Sequence, residues 1–259
     1  MNIRKSFLYL LLCRLISLPL QTLVAQTDSL RFEQEFEQQF ALQKRLTIGL
    51  QVSYLLSNLY GKDKNFIFAE KATRWQSGFQ LGSFLNTRIN DNFRLKHELF
   101  ITQRGANVSL LDNSSSETYT SQFRTYYLDL CPINPTFYYK GLEVYLGFYI
   151  SGLMYADIQR INEQGKLQRD NSIFGTPDNR EGENQNKYLQ KFDFGLNTGI
   201  NYQFSPKISL GLRYARGFTD LFQYANSFTN DDTKTDNINI SNHFVVLSIG
   251  YNLSKNSQK

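Results

Sequence analysis

Cysteine, histidine and long apolar runs are all scarce in this chain, and each scarcity removes a class of protein. Two cysteines occur in 259 residues, and Cys13 lies within an N-terminal segment that reads as a removable signal. Cys131 then stands alone, so no intrachain disulfide staples the fold. The two histidines, His97 and His243, have no cysteine or second histidine at metal-ligand spacing. No glycine-rich phosphate loop occurs, and no cofactor is implied. A pairing of His243 with Ser241 is the nearest approach to a hydrolase constellation, and a non-enzymatic reading is preferred. Beyond residue 25 no stretch approaches the ~20 apolar residues of a membrane-spanning helix.

Charge of one sign is scarce as well. Removing residues 1–25 takes away Arg4, Lys5 and Arg14 and no acid, which lowers the formal net charge from +5 to +2. No basic stripe remains of the kind nucleic acid requires, so nucleic acid is not expected as a partner.

What the chain does have is alternation. Leu46, Ile48, Leu50, Val52 and Tyr54 interleave with Thr47, Gly49, Gln51 and Ser53; Phe192, Phe194, Leu196, Ile200 and Tyr202 interleave with Asp193, Gly195, Asn197, Gly199 and Asn201. Period two makes strands with one apolar and one polar face. Eight such segments fall at 46–56, 75–89, 93–104, 123–132, 141–154, 191–204, 207–217 and 243–253. Each is long enough to cross a bilayer when tilted, since ~9–11 residues suffice. Abundant aromatics (21 Phe, 16 Tyr) beside a negative mean hydropathy suit a wall of which only alternate residues meet lipid. The expected fold is all-β, an eight-stranded antiparallel up-and-down transmembrane β-barrel.

The expected organisation is a signal peptide at 1–25, a periplasmic leader at 26–44, the barrel at 45–254 and a tail at 255–259. The leader carries Phe32, Phe36 and Phe40 at the spacing of a short amphipathic helix. Connections alternate in length, with 90–92 and 205–206 short, 133–140 moderate, and 57–74, 105–122, 155–190 and 218–242 long. Outer membrane barrels keep periplasmic turns tight and extracellular loops extended. Aromatics then gather at two levels: Tyr54, Trp75, Tyr126, Phe192 and Tyr214 outside, Phe93, Tyr202, Phe204 and Tyr251 inside.

Assigning the polar phase to the interior places Arg88, Arg94, Lys96 and Arg213 there with Glu98, Asp129, Glu143 and Asp193. An eight-stranded barrel is just wide enough for side chains to fill. These charges should therefore pair, and Arg94, Lys96, Asp129, Glu143 and Arg213 are the expected lumen network, with Lys96 near Asp129. Gly78, Gly82, Gly195, Gly199 and Gly211 fit the same inward phase, and His97 the outward one.

Tyr127-Leu128-Asp129-Leu130-Cys131-Pro132, followed by Leu142-Glu143-Val144-Tyr145-Leu146-Gly147, resembles the central strand pair of PorT-like outer membrane β-barrels. Phe192-Asp193-Phe194-Gly195-Leu196 and Arg213 to Asp220 resemble that family's later strands. The resemblance implies an outer membrane protein of Bacteroidetes type and a link to type IX protein secretion. Cys131 and Asn134-Pro135 depart from the pattern. The expected role is an anchor or accessory subunit in contact with outer membrane lipid, meeting a protein partner through its extracellular loops or its leader. A small-solute channel and a soluble lipocalin-like barrel are the other readings.

Overall fold

A computed structural model describes residues 46–64, 73–111, 118–161, 166–170, 184–223 and 239–254. The expected signal, leader and tail lie outside the described residues. Among the described residues ten strands form in chain order: β1 (Leu46–Tyr60), β2 (Thr73–Arg74), β3 (Gln76–Arg88), β4 (Phe93–Leu111), β5 (Thr118–Tyr139), β6 (Leu142–Ile161), β7 (Leu167–Arg169), β8 (Phe192–Gln203), β9 (Ile208–Gly217) and β10 (Ser241–Asn252). Eight of them close a ring in the order β1-β3-β4-β5-β6-β8-β9-β10, every pair antiparallel, with β10 returning to β1. The two short strands β2 and β7 lengthen the sheet beside β4 and β6. Closure leaves no free sheet edge in the ring, which an apolar solvent demands.

The period-two pattern is obeyed with apolar residues outward. Ile48, Leu50, Val52, Leu81, Leu146, Ile200, Leu212, Leu247 and Ile249 are exposed, whereas Gln51, Ser53, Gln80, Asn197 and Ser248 are buried. The barrel is thus inside out relative to a soluble ligand-binding barrel, whose apolar phase would face inward.

Three tight turns occupy one end, and each has a local cause. Asn90 accepts hydrogen bonds from the backbone N–H groups of Asn92 (3.0 Å) and Phe93 (2.7 Å), closing the β3–β4 turn. The Ser205 hydroxyl accepts from Lys207 (3.3 Å) and Ile208 (3.0 Å) in the β8–β9 turn. The β5–β6 connection is a two-residue hairpin, with Lys140 at φ +46° and Gly141 at φ +89°. Positive φ at both central positions matches the right-handed twist of the flanking strands.

That hairpin corrects the expected moderate loop at 133–140. The expected strand ends at Pro132, yet β5 runs through both Pro132 and Pro135. Its pairing with β4 shifts between Lys96 and Glu98, and its pairing with β6 lapses between Leu130 and Thr136. Proline is tolerated at such a bulge because no ladder hydrogen bond is asked of it. The irregularity turns Asn134 into the lumen, where Gly147 makes room: a Cβ there would lie 1.8 Å from Asn134 Oδ1.

The second correction is at the opposite end. Residues 105–122 were expected to be a loop, but β4 continues to Leu111 and β5 begins at Thr118. Strand β6 likewise extends to Ile161, past the expected end at 154.

Candidate functional site

The lumen carries charge from the tight-turn end upward, on side chains that the strand pleat points inward. Near the turns, Arg94 on β4 pairs with Glu143 on β6 at 2.9 Å and lies 3.6 Å over the ring of Tyr138. Asn201 on β8 donates to the other carboxylate oxygen at 3.3 Å. One layer higher, Lys96 meets Glu98 at 2.7 Å, and Arg213 on β9 reaches Glu98 from across the barrel at 3.3 Å. Asn134 donates to Glu98 Oε2 at 2.9 Å.

A polar relay links this layer to a higher one. Arg213 donates to Gln80 on β3; Gln80 donates to Thr102 (2.8 Å), and Thr102 donates to Asp129 (2.6 Å). Above Asp129 sits Arg104, fully buried, 2.9 Å from Asp193 on β8 and 3.9 Å from Asp129. Its guanidinium stacks 3.9 Å over Tyr127, with Phe244 at 5.0 Å and Tyr149 at 5.5 Å. Tyr149 and Asn242 donate to Asp193 at 3.2 and 3.4 Å. The four cations Arg94, Lys96, Arg104 and Arg213 balance the four anions Glu98, Asp129, Glu143 and Asp193. Buried charge without such partners costs several kcal/mol per ion.

Among the residues expected to form the network, Arg94 and Glu143 are brought together, while Arg213 joins through Glu98. Lys96 does not meet Asp129. The reason is register: Lys96 lies opposite Asn134, and Asp129 lies opposite Phe100, so the two are four residues apart along the barrel. Ending β5 at Pro132 put Asp129 too close to the turns. Arg88 is not in the lumen either; it is exposed and pairs with Asp91 at the turn. Arg104 was missed because it stood at the expected end of its strand. The signal was present, since Glu98, Phe100, Thr102 and Arg104 share one phase that Ala106, Val108 and Leu110 continue.

At the long-loop end the lumen is closed by apolar packing. Ala106, Val108 and Leu110 from β4, Phe123 from β5, and Ala156 and Ile158 from β6 pack with Leu59, Tyr188, Leu189, Leu221, Phe222 and Ile240. Phe123 and Phe222 meet edge to face, ring centroids 6.1 Å apart. On the outer face, the apolar phase of β5 and β6 ends at the neighbouring rings of Tyr126 and Tyr155, 6.0 Å apart. Above them the outward positions are Gln103, Asn107, Gln122, Arg124, Asp157 and Gln159. From Tyr126 to Thr118, β5 rises about 27 Å along the strand beyond that level.

The upper edge of β6 is sealed by side-chain amides. Asn186 accepts from Ala156 N (2.7 Å) and donates to Met154 O (3.0 Å), while Gln185 accepts from Ile158 N (2.8 Å) and donates back to Ile158 O (3.2 Å). Both belong to a single 3-10 turn, Gln185–Tyr188, that imitates a strand. Backbone bonds from Leu221 to Ile240 (2.7 Å) and from Gln190 to Leu221 (2.9 Å) tie the remaining connections to it. Beside them, the Asp220 carboxyl is pushed up from its ordinary value by partial burial and then by the like charge of Asp63.

His97 takes the outward phase, its Nδ1 against the carbonyl of Pro132 at the bulge. Ser241 and His243 do not form a couple. The Ser241 hydroxyl donates to the Tyr60 carbonyl at 3.5 Å, and the imidazole stacks on Trp75, 4.9 Å between centroids.

Residues 25–223 match a family model described as outer membrane protein β-barrel domain. Among solved structures, the chain is similar to Neisserial surface protein A (14% identity, 79% of this chain and 96% of that one, TM-score 0.43). It is similar also to the attachment invasion locus protein Ail of Yersinia pestis, in complex with the heparin analogue sucrose octasulfate (12%, 81% and 99%, 0.42). A third is OprG of Pseudomonas aeruginosa (10%, 82% and 97%, 0.40). No curated protein matches.

Proposed function

This chain belongs to the outer membrane protein β-barrel domain family and is an outer membrane protein, and from that premise we propose that it is a non-conducting, non-enzymatic anchor whose extracellular strand extension receives a protein partner. Tight turns then face the periplasm and long connections the outside. The observation that carries the reading is the extension of β4, β5 and β6 past the Tyr126 and Tyr155 rings, polar on its outer face and packed shut on its inner one. A solute channel needs no such apolar closure, and an eight-stranded lumen filled with paired charge leaves it little space.

The accessory role in type IX secretion is the narrower form of this reading. Its support is the PorT-like resemblance at 127–132 and 142–147, since the matched family covers outer membrane barrels in general.

Site-specific photocrosslinking in intact cells tests the proposal. Probes at Asn107 and Gln159, on the extension, are expected to capture protein, and probes at Leu50 and Leu146, on the apolar wall, to capture lipid. Protein capture at all four positions, or at none, would refute extension-mediated docking. Removing residues 171–183 spares β7 and the Gln185 seal, and is expected to preserve heat-modifiable migration. A wider deletion reaching Gln185 would unseal β6 and confound the result.

A further inference from the structure

The outer wall of the barrel carries one cationic aromatic cluster at its extracellular rim, built across four strands. Arg216 on β9 lies beside His243 on β10 in the ladder, and His243 lies opposite Asn58 on β1. Trp75, just before β3, stacks on the His243 imidazole at 4.9 Å, and Tyr60 tilts against the same ring at 6.1 Å. The Arg216 guanidinium rests 4.2 Å over the Tyr60 ring. Lys64, four residues beyond Tyr60, adds a further positive charge that acts on His243 together with Arg216.

Among the described residues neither Arg216 nor Lys64 enters an ion pair, in contrast to Arg88, Arg94, Lys96, Arg104 and Arg213. His243 Nε2 is buried, with no hydrogen-bond partner among the described residues. Arg216 shares the outward phase of Leu210, Leu212 and Tyr214, so its surroundings are lipid rather than lumen. Trp75 and Tyr60 fix the depth, because such rings settle where hydrocarbon gives way to headgroups. A guanidinium over an aromatic ring, and in no ion pair among the described residues, has N–H donors to offer a phosphate.

We propose that Arg216 and Lys64, on the platform of His243, Trp75 and Tyr60, bind the phosphate of an outer-leaflet glycolipid headgroup. The lipid is held against β9, β10, β1 and β3, with its acyl chains along the apolar wall that includes Leu212, Leu247 and Leu56. The proposal rests on membrane residence and not on the partner-docking role. The arginine and lysine supply charge, and the imidazole, whose Nε2 is shut from the surface, serves with Trp75 and Tyr60 as the platform that holds them.

Trp75 is the sole tryptophan of the chain, so its fluorescence reports on this cluster without labelling. The refolded barrel is reconstituted into phosphatidylcholine vesicles alone, and into vesicles containing diphosphoryl lipid A or its dephosphorylated form. The expected result is a change of Trp75 emission that saturates with diphosphoryl lipid A and is absent with the dephosphorylated lipid. R216Q and K64Q together should weaken the apparent affinity at least tenfold, while heat-modifiable migration shows that the barrel has formed. Native mass spectrometry supplies a second reading, with bound lipid A expected on the wild type and reduced on the double variant. Equal responses to both lipids, or unchanged retention by the double variant, would overturn the site and leave the cluster an aromatic belt alone. Loss of photocrosslinks at Asn107 would leave it untouched.

Discussion

Replacing Arg104 by leucine removes the one cation that two buried carboxylates share. Asp193 loses its 2.9 Å partner, and Asp129 loses the only positive charge within 4 Å among the described residues. Both remain shut from water, since they are 4% and 2% exposed. Breaking a buried pair from one side typically costs about 3–5 kcal/mol, because the orphaned charge keeps its desolvation penalty. Loss of the stack on Tyr127 adds roughly 0.5–2 kcal/mol. Asp129 retains Thr102 and Gln80 as donors, so the low end of the combined range, about 4 kcal/mol, is expected. The assay is equilibrium unfolding in urea with the barrel in lipid vesicles, followed by Trp75 emission. Arg104→Leu combined with Asp193→Asn should recover at least half of the loss, because the worse of the two orphaned charges is gone. A single-variant loss below about 1 kcal/mol, or a double variant no better than the single, would refute the idea that Arg104 holds the upper lumen by charge.

Lys96→Ala and Glu98→Ala should be strongly coupled in a double-mutant cycle, by about 1 kcal/mol or more, whereas Lys96→Ala and Asp129→Ala should be closer to additive. Gly105→Ala should impair refolding yield, because its Cβ would stand 1.8 Å from the Phe123 carbonyl oxygen; Gly152→Ala, with nothing within 4 Å, should be neutral within about 0.5 kcal/mol. Phe222→Ala should cost about 3–5 kcal/mol by cavity formation in the extracellular closure, read as faster proteolysis of that end with the membrane wall intact. Asp220→Asn should stabilise the same end slightly, by a few tenths of a kcal/mol. The raised carboxyl of Asp220 favours the folded state below its ordinary value, and that contribution is lost as pH rises through the folded value. The variant should therefore flatten the pH dependence of protection from proteolysis, and an unchanged profile would count against a carboxyl raised by burial and by Asp63.

The wall was legible in the sequence because a bilayer enforces strict alternation, and Leu46 to Tyr54 or Phe192 to Tyr202 can satisfy it in only one phase. The ends were not. Above the headgroups the outer face becomes polar while the inner face becomes apolar, so at Gln103 to Leu110 the phase inverts its chemistry and reads as a loop. The continuation of β5 through Pro132 and Pro135 was hidden for a different reason. A bulge needs two strands to be recognised, and the glycine that accommodates it, Gly147, lies on the neighbouring one. Charge in the lumen was visible as inward-phase Arg and Glu, but who meets whom depends on register, and a misplaced end of β5 moved Asp129 away from Arg104. The seal of β6 by Gln185 and Asn186 left no pattern at all, since two amides on a short turn resemble any solvated loop.

A barrel filled below by balanced charge and above by apolar side chains has no open path for ions. Planar-bilayer recording of the purified protein is expected to show no steady open state across the ordinary range of voltage. A stable ohmic conductance that persists in the wild type, with Phe222 and Arg104 both in place, would contradict it.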